Sequence, residues 1–196
     1  MKYVLVSLTG DDATAANDEF ARWFAAAHPP VAAFHGEHPD LDEVATHVRE
    51  TRLALVFGHD GGGSLRGAAK GAAWVDPPTF SRIFAGARVW VYACETRSRS
   101  LDEDLESFGK IAFANGVRVF AGHASPVSAT PPFTSLPALK RSAHSALARG
   151  FRAFLQGENN AAALRRAVLG GAAVGRGAVL GALRIDQDIE SLRVLA

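Results

Sequence analysis

The chain has 196 residues, of which 48% are apolar and 21% charged, and its formal net charge is +1. Such a composition supplies enough apolar residues for a buried core, and a single domain over residues 1–196 is the expectation for this length. The near balance of 21 basic and 20 acidic residues excludes the basic excess typical of proteins that bind nucleic acid or acidic membranes. A single cysteine, Cys94, excludes an internal disulfide and an all-cysteine metal site, and it suits a reducing compartment such as the cytoplasm.

The first part of the chain alternates predicted strands and helices. A β-branched and aromatic run over Tyr3–Leu8 predicts a strand; with one positive charge and no small-residue cleavage site, it does not resemble a signal peptide. The turn cluster at residues 9–12 is suited to cap a helix over Thr14–Ala27. The next predicted elements are a short strand over Val31–Phe34, a helix of about ten residues from Leu41 that Asp40 caps, and a fully buried strand over Leu53–Phe57.

The remaining elements continue this alternation. After the glycines at 61–63 we expect a small hairpin through Ala73-Trp74-Val75 and a short helix around Phe80–Phe84. There follow a strand over Ala87–Ala93, a helix over Leu101–Asn115, a strand over Val117–Ala121, a loop over Ser125–Pro137, helices over Leu139–Leu155 and Asn160–Leu169, and strands over Ala178–Ile185 and Leu192–Leu195. This order predicts an α/β fold, a three-layer α/β/α sandwich with a mostly parallel sheet. No apolar run reaches the roughly 20 residues that span a membrane.

Two neighbouring predicted strands end in reactive side chains. His59 follows the strand Leu53–Phe57, and Cys94 follows the strand Ala87–Ala93. The functional crevice of an open α/β sheet lies outside the carboxyl ends of its strands, so adjacent strands would bring both side chains to one rim. An imidazole beside a thiol takes its proton or stabilises the thiolate, which is the nucleophile. The glycines after Asp60 allow close backbone approach and present N–H groups suited to an oxyanion hole.

At these residues the sequence resembles the caspase-like cysteine peptidases of clan CD, most closely the bacterial CHAT-type domains. The motifs that carry the resemblance are Gly58-His59-Asp60-Gly61 and Ala93-Cys94-Glu95-Thr96, with His59 and Cys94 35 positions apart. Asp60 departs from the pattern, because the family usually has glycine there. The segment Val119–Val127 falls where the family's next strand ends beside the active site. Motif support covers Arg52–Val127; outside it only the order of elements agrees.

The resemblance implies a caspase-like sheet and a cysteine endopeptidase that works through a thioester acyl-enzyme without metal or organic cofactor. It further implies a prokaryotic cytoplasmic enzyme that cleaves a few protein targets in regulation or defence; whether activation needs a regulatory protein partner stays open. In this interpretation His59 is the general base and acid, and Cys94 is the nucleophile. Backbone N–H groups of Asp60, Gly61 and Cys94 would form the oxyanion hole. The candidates for substrate binding are Asp60 and Glu95, which suit a basic side chain, and His123, which suits a pocket wall.

Other functions stay open from the residues alone. A lone cysteine at a strand end is more often a packing residue, so a non-catalytic caspase-like or flavodoxin-like module that binds a protein is the main alternative. A small-molecule hydrolase that uses Cys94 is a third. A tyrosine-phosphatase loop requires arginine six positions after the cysteine, and that position holds Ser100. The glycine-rich stretches match neither a P-loop nor a dinucleotide-binding motif.

The other histidines are weaker candidates. His35 also precedes a glycine, but its strand is short and lies further along the predicted sheet from Cys94. His28, His35 and His38 lack the carboxylate or cysteine spacing of a known metal site, so we expect solvated loop residues. His47 and His144 fall within predicted helices, where we expect them on the surface.

Overall fold

The strands and helices are seen in a computed structural model, which describes residues 1–60, 63–93, 107–123, 137–170 and 189–196. The strands are β1 (Val4–Leu8), β2 (Ala32–Gly36), β3 (Leu53–Phe57), β4 (His59–Asp60), β5 (Leu65–Arg66), β6 (Ala73–Val75), β7 (Arg88–Tyr92), β8 (Val119–His123) and β9 (Leu192–Leu195). The helices are α1 (Asp12–Ala27), α2 (Leu41–Thr51), α3 (Pro77–Ile83), α4 (Phe108–Ala114), α5 (Pro137–Leu155) and α6 (Ala161–Leu169).

The described strands form one large sheet and one small one. The large sheet has the order β2-β1-β3-β7-β8-β9 and is parallel except for β9, which runs antiparallel to β8. The small sheet is the antiparallel set β4-β5-β6. From β1 the chain continues first to β2 on one side and then to β3 on the other, so the strand order reverses between β1 and β3. Ligands of open α/β sheets bind at the carboxyl edge beside such a reversal.

Helices cover both faces of the large sheet. On one face α1, α5 and α6 bury an aromatic-rich core that includes Phe57, Trp90 and Phe151. On the other face α2, α3 and α4 pack on a second core of mainly β-branched and aromatic residues, including Val56 and Phe120. Strands apolar on both faces are expected in a parallel sheet covered by helices. The arrangement confirms the predicted fold class, a three-layer α/β/α sandwich with a mostly parallel sheet.

Capping side chains determine where several helices begin. Asp11 caps α1, so that helix begins two residues before the predicted Thr14. Ser107 has extended backbone angles and accepts a hydrogen bond from the Lys110 N–H, so α4 begins at Phe108. The predicted helix Leu101–Asn115 is therefore not continuous at Ser107, and its predicted start lies in residues 101–106, outside the described part. None of the described helices is long and apolar enough to cross a membrane.

Two predicted strands are displaced along the chain. The strand predicted over Val117–Ala121 is β8, shifted by two residues, because the Val117 N–H still bonds to the Ala112 carbonyl at the end of α4. β2 extends two residues beyond Phe34, which places His35 in a strand rather than a loop. Pro137 begins α5 instead of ending a loop. The predicted strand Ala178–Ile185 and loop residues 125–136 lie outside the described residues.

Candidate active site

His59 lies where the chain leaves the large sheet at its carboxyl edge. β3 ends at Phe57, and β4 then turns away to pair with β5, with His59 opposite Arg66. Gly58 allows this turn, because a Cβ at that position would lie 3.0 Å from Leu8 Cδ1 and 3.1 Å from the Arg66 carbonyl oxygen. The side chain of His59 is 17% exposed. His59 therefore faces a partly shielded environment at the rim where the sequence predicted a catalytic base.

A carboxylate from the neighbouring strand contacts this imidazole. Asp11 follows β1, and its Oδ1 and Oδ2 lie 3.1 and 3.0 Å from His59 Nε2. β1 and β3 are the two strands between which the sheet order reverses, with Ser7 paired to Phe57. The Asp11–His59 pair therefore occupies the position in which this fold class places its ligands.

Backbone groups from two segments hold the Asp11 side chain. The Thr14 N–H in the first turn of α1 donates to Oδ1 at 3.0 Å, and the Ala69 N–H in the β5–β6 connection donates to Oδ2 at 2.9 Å. The hydroxyl of Thr14 also donates to the Gly67 carbonyl at 2.6 Å. Gly67 lies so close to the β1–α1 loop that a Cβ there would be 2.6 Å from the Thr9 carbonyl oxygen. The connection is thus docked against the loop that carries Asp11.

These contacts determine the charge of Asp11. Partial burial by itself would raise the pKa of this carboxyl, but the backbone N–H groups of Ala69 and Thr14 and the His59 ring lower it far more. The net effect holds the pKa of Asp11 well below its usual range. At neutral pH a carboxylate therefore faces the imidazole, at the positive N-terminal end of α1.

The strand that leads to Cys94 runs beside β3. Phe57 pairs with Tyr92, and the Gly58 N–H donates to the Tyr92 carbonyl at 3.4 Å, so β3 and β7 stay adjacent to the edge of the sheet. Ala93 follows β7 and is buried. Three predicted site residues, Cys94, Gly61 and Glu95, lie outside the described part of the chain.

Two other predicted site residues are described. Asp60 is half-buried in β4, with its Oδ1 shielded from solvent. His123 ends β8 and is fully buried: Trp90 Nε1 donates to its Nε2 at 3.2 Å, and its Nδ1 lies 3.2 Å from Ser191 Oγ. These contacts assign His123 a packing role in the aromatic core. Contact of either residue with substrate stays a prediction.

Asp11 is the site residue that sequence reasoning missed. Its turn cluster was interpreted only as a helix cap, and Asp11 does cap α1. Nothing local indicates the second role, because His59 is 48 positions away. Its position in the chain was a usable signal. A carboxylate that follows the first strand lies near His59 if β1 is placed beside β3.

The described residues contain a second histidine–aspartate pair, between α1 and the edge strand β2. In β2, His35 Nδ1 lies 2.5 Å from Asp18 Oδ1, while Arg22 Nε donates to Asp18 Oδ2 at 2.6 Å. The prediction of a solvated loop histidine is therefore wrong for His35. The prediction that His144 is a surface residue of its helix is also wrong, because His144 is buried against Phe20 and Trp23.

This second pair predicts a pH-dependent contribution to stability. Burial raises the pKa of Asp18, but the hydrogen bonds to His35 and Arg22 lower it further, so the folded-state pKa lies below the unfolded one. Stability from a lowered carboxyl pKa is present above the unfolded pKa, about 4, and is lost as pH falls through the folded pKa. We expect Asp18→Asn to lower the free energy of unfolding by about 1–3 kcal/mol at pH 7.

Urea unfolding of wild type and variant across pH 7 to 2 measures this difference. It should shrink steadily below about pH 4, the unfolded carboxyl pKa. Asp42→Asn, which changes an exposed carboxylate of α2, is the control and should differ from wild type by less than about 0.5 kcal/mol. An Asp18→Asn difference that stays constant with pH would contradict the assignment.

The comparisons with known proteins concern the fold. No protein-family model and no curated protein matches the sequence. Among solved structures, the chain is similar to that of pro-sf-caspase-1, at 13% identity and a TM-score of 0.43, over 86% of this chain and 75% of that one. Across the described ranges, no group of three or more His, Cys, Asp or Glu side chains is arranged to hold a metal ion. The case for a function therefore rests on the site's own residues.

Proposed function

We propose that the protein is a cysteine endopeptidase in which Cys94 is the nucleophile and His59 the general base and acid. The observation that carries the proposal is the Asp11–His59 pair at the carboxyl edge of β3, next to the strand that leads to Cys94. An imidazole paired with a carboxylate is a common form in which histidine serves as a base in hydrolases. We propose that the substrate is a protein or peptide and that a regulatory protein partner controls the enzyme.

The chain connectivity supports the pairing of these two residues. Phe57 and Tyr92 are paired across β3 and β7. His59 comes two positions after Phe57, and Cys94 comes two positions after Tyr92. Consecutive Cα atoms are about 3.8 Å apart and neighbouring strands about 4.8 Å apart. The described chain therefore reaches Ala93, the residue before Cys94, beside the rim on which His59 lies.

The chemistry follows a balanced acyl transfer. His59 takes the proton of the Cys94 thiol, and the thiolate attacks the carbonyl carbon of the scissile peptide bond. The C–N bond then breaks, the leaving amine receives the proton from His59, and a thioester remains on Cys94. Water, deprotonated by His59, attacks the thioester, which releases the carboxylic acid product and returns the thiol.

Two further roles belong to this proposal. Backbone N–H groups of Asp60, Gly61 and Cys94 would stabilise the oxyanion formed during both attacks. Asp60 and Glu95 would favour a basic side chain beside the scissile bond, since carboxylates pair with lysine and arginine. Asp60 is thus a candidate for specificity at a position where glycine would provide no side chain.

Intact-mass analysis with two electrophilic peptides tests the function. One peptide carries arginine and the other aspartate next to the warhead, and both are offered to wild type and to Cys94→Ala. We expect one adduct per wild-type chain, faster with the arginine peptide, and none on the variant. Because Cys94 is the sole cysteine, any adduct on a thiol must be on Cys94.

Iodoacetamide distinguishes the other functions. A protein-binding module with a packing cysteine should alkylate slowly at neutral pH and ignore both peptides. A small-molecule hydrolase should alkylate quickly and still ignore both peptides. A cooperative unfolding transition shows that the protein used is folded. Failure of both peptides to label such folded protein, whatever the alkylation rate, would contradict the endopeptidase.

A further inference from the structure

The proton between Asp11 and His59 has a defined position. An ionised carboxylate only accepts hydrogen bonds, and the contacts of Asp11 keep it ionised at neutral pH. His59 Nε2, 3.0 Å from Asp11 Oδ2, must therefore be the donor. A neutral imidazole has a single N–H, so the other nitrogen, Nδ1, carries the lone pair that accepts a proton.

We propose that Asp11 is the positioning residue of the catalytic histidine: it fixes His59 as the Nε2–H tautomer, so that Nδ1 exchanges the proton with the Cys94 thiol. The part that concerns Cys94 rests on the proposed function. The tautomer and its cause rest on the contact between Asp11 and His59 alone.

Helix capping does not explain the contacts of Asp11. Asp40 caps α2 by accepting a single N–H, that of Glu43, at 2.8 Å. Asp11 makes the corresponding bond to the Thr14 N–H and uses its remaining lone pairs for the Ala69 N–H and the imidazole. Because two backbone segments fix its orientation, the carboxylate holds the ring in place instead of following its motion.

The same contact stabilises the charged state of the base. Once Nδ1 has accepted a proton, the imidazolium lies 3.0 Å from a carboxylate, a charge-assisted hydrogen bond. Two further charged residues lie in the strand pair β4–β5 that carries His59. Asp60 follows His59 in β4, and Arg66, opposite His59 in β5, donates to Ser64 Oγ at 2.6 Å. Asp11 is the carboxylate in direct contact with the ring.

Long-range ¹H–¹⁵N NMR of the 196-residue chain tests the tautomer directly. The signals of His59 are assigned by their loss in His59→Gln. In the neutral form of the ring, reached by raising the pH until the signals stop shifting, we expect a protonated Nε2 and an unprotonated Nδ1 in wild type. In Asp11→Asn the introduced amide is able to donate to Nε2, and we expect the proton to move to Nδ1. A wild-type spectrum with the proton on Nδ1 would overturn the proposal without any variant.

Kinetics with a cleavable peptide test the consequence. Asp11→Asn should lower kcat by about 10²- to 10⁴-fold with little change in KM, because Asp11 acts through His59 rather than on substrate. The pH at which iodoacetamide alkylation reaches half its maximum rate should rise, since the thiolate then forms without the base. Asp11→Ser keeps a good helix cap and should show the same kinetic loss.

The matched control is Asp40→Asn, which alters an N-cap of the same residue type that does not touch His59. Its kcat, its alkylation profile and the tautomer of His59 should equal those of wild type. An Asp11→Asn protein with the wild-type tautomer and alkylation profile would refute the role of Asp11. Failure of wild-type labelling would instead refute the peptidase, and the NMR result would still decide the role of Asp11.

Discussion

His59→Ala is expected to lower kcat/KM for a peptide substrate by about 10³- to 10⁴-fold. In the proposed mechanism the substitution removes the group that deprotonates the thiol and protonates the leaving amine. The backbone groups that contact Asp11, the Thr14 and Ala69 N–H groups, are donors and cannot replace it as a base. The measurement is progress-curve kinetics with a peptide that wild type cleaves, at equal concentrations of folded protein.

The matched control for this result is His35→Ala. His35 is also a strand-end histidine bound to a carboxylate, Asp18, but it lies in the edge strand β2. We expect its kcat/KM to stay within about threefold of wild type at a temperature where both proteins are folded. Equal losses in the two variants would mean that activity follows stability and that His59 has no special role.

Phe151→Ala is expected to lower the free energy of unfolding by about 3–5 kcal/mol. The Phe151 ring is buried among aromatic rings, 4.4 Å from that of Trp90 and 5.5 and 5.8 Å from those of Phe57 and Tyr92, centre to centre. Its removal leaves a cavity that the surrounding rings cannot fill without leaving their rotamers. Urea unfolding followed by tryptophan fluorescence measures the loss.

Phe113→Ala is the control for this substitution. Phe113 lies on α4 with 36% of its surface exposed, and its truncation should cost less than about 1 kcal/mol. A loss below about 1.5 kcal/mol for Phe151→Ala would show that the aromatic core repacks around the missing ring. Because Phe57 and Tyr92 directly precede the two site segments, Phe151→Ala should also inactivate at a lower temperature than Phe113→Ala.

The fold was predictable where the signal is local. The apolar run Leu53–Phe57, bounded by Gly58, identifies a strand buried on both faces, and the structure confirms its bounds. Helix starts were less predictable. A capping residue can be identified only when it is known which polar side chain accepts a backbone N–H of the first helical turn. Ser107 is such a case: it lies inside the run that the sequence predicts as one helix, yet its side chain caps α4, which begins at the next residue.

Side-chain environments depended on contacts between distant segments. His144 follows polar residues in α5, but the face on which it lies packs against Phe20 and Trp23 of α1. His59 was identified because the chemistry of its own motif is informative, whereas Asp11 was not, because its partner is 48 positions away. Local sequence therefore identified the candidate base but not the carboxylate that contacts it.

The shared use of Asp11 has a consequence for how the protein tolerates mutation. One carboxylate caps α1, anchors the β5–β6 connection through Ala69 and binds His59. Loss of this side chain would remove a helix cap, the anchor of the β5–β6 connection and the contact to His59 at once. Selection for the folded protein alone would therefore retain Asp11 long after Cys94 had become dispensable. Related chains that keep the fold but lack the proposed activity should therefore retain aspartate at the position of Asp11 and lack cysteine at the position of Cys94.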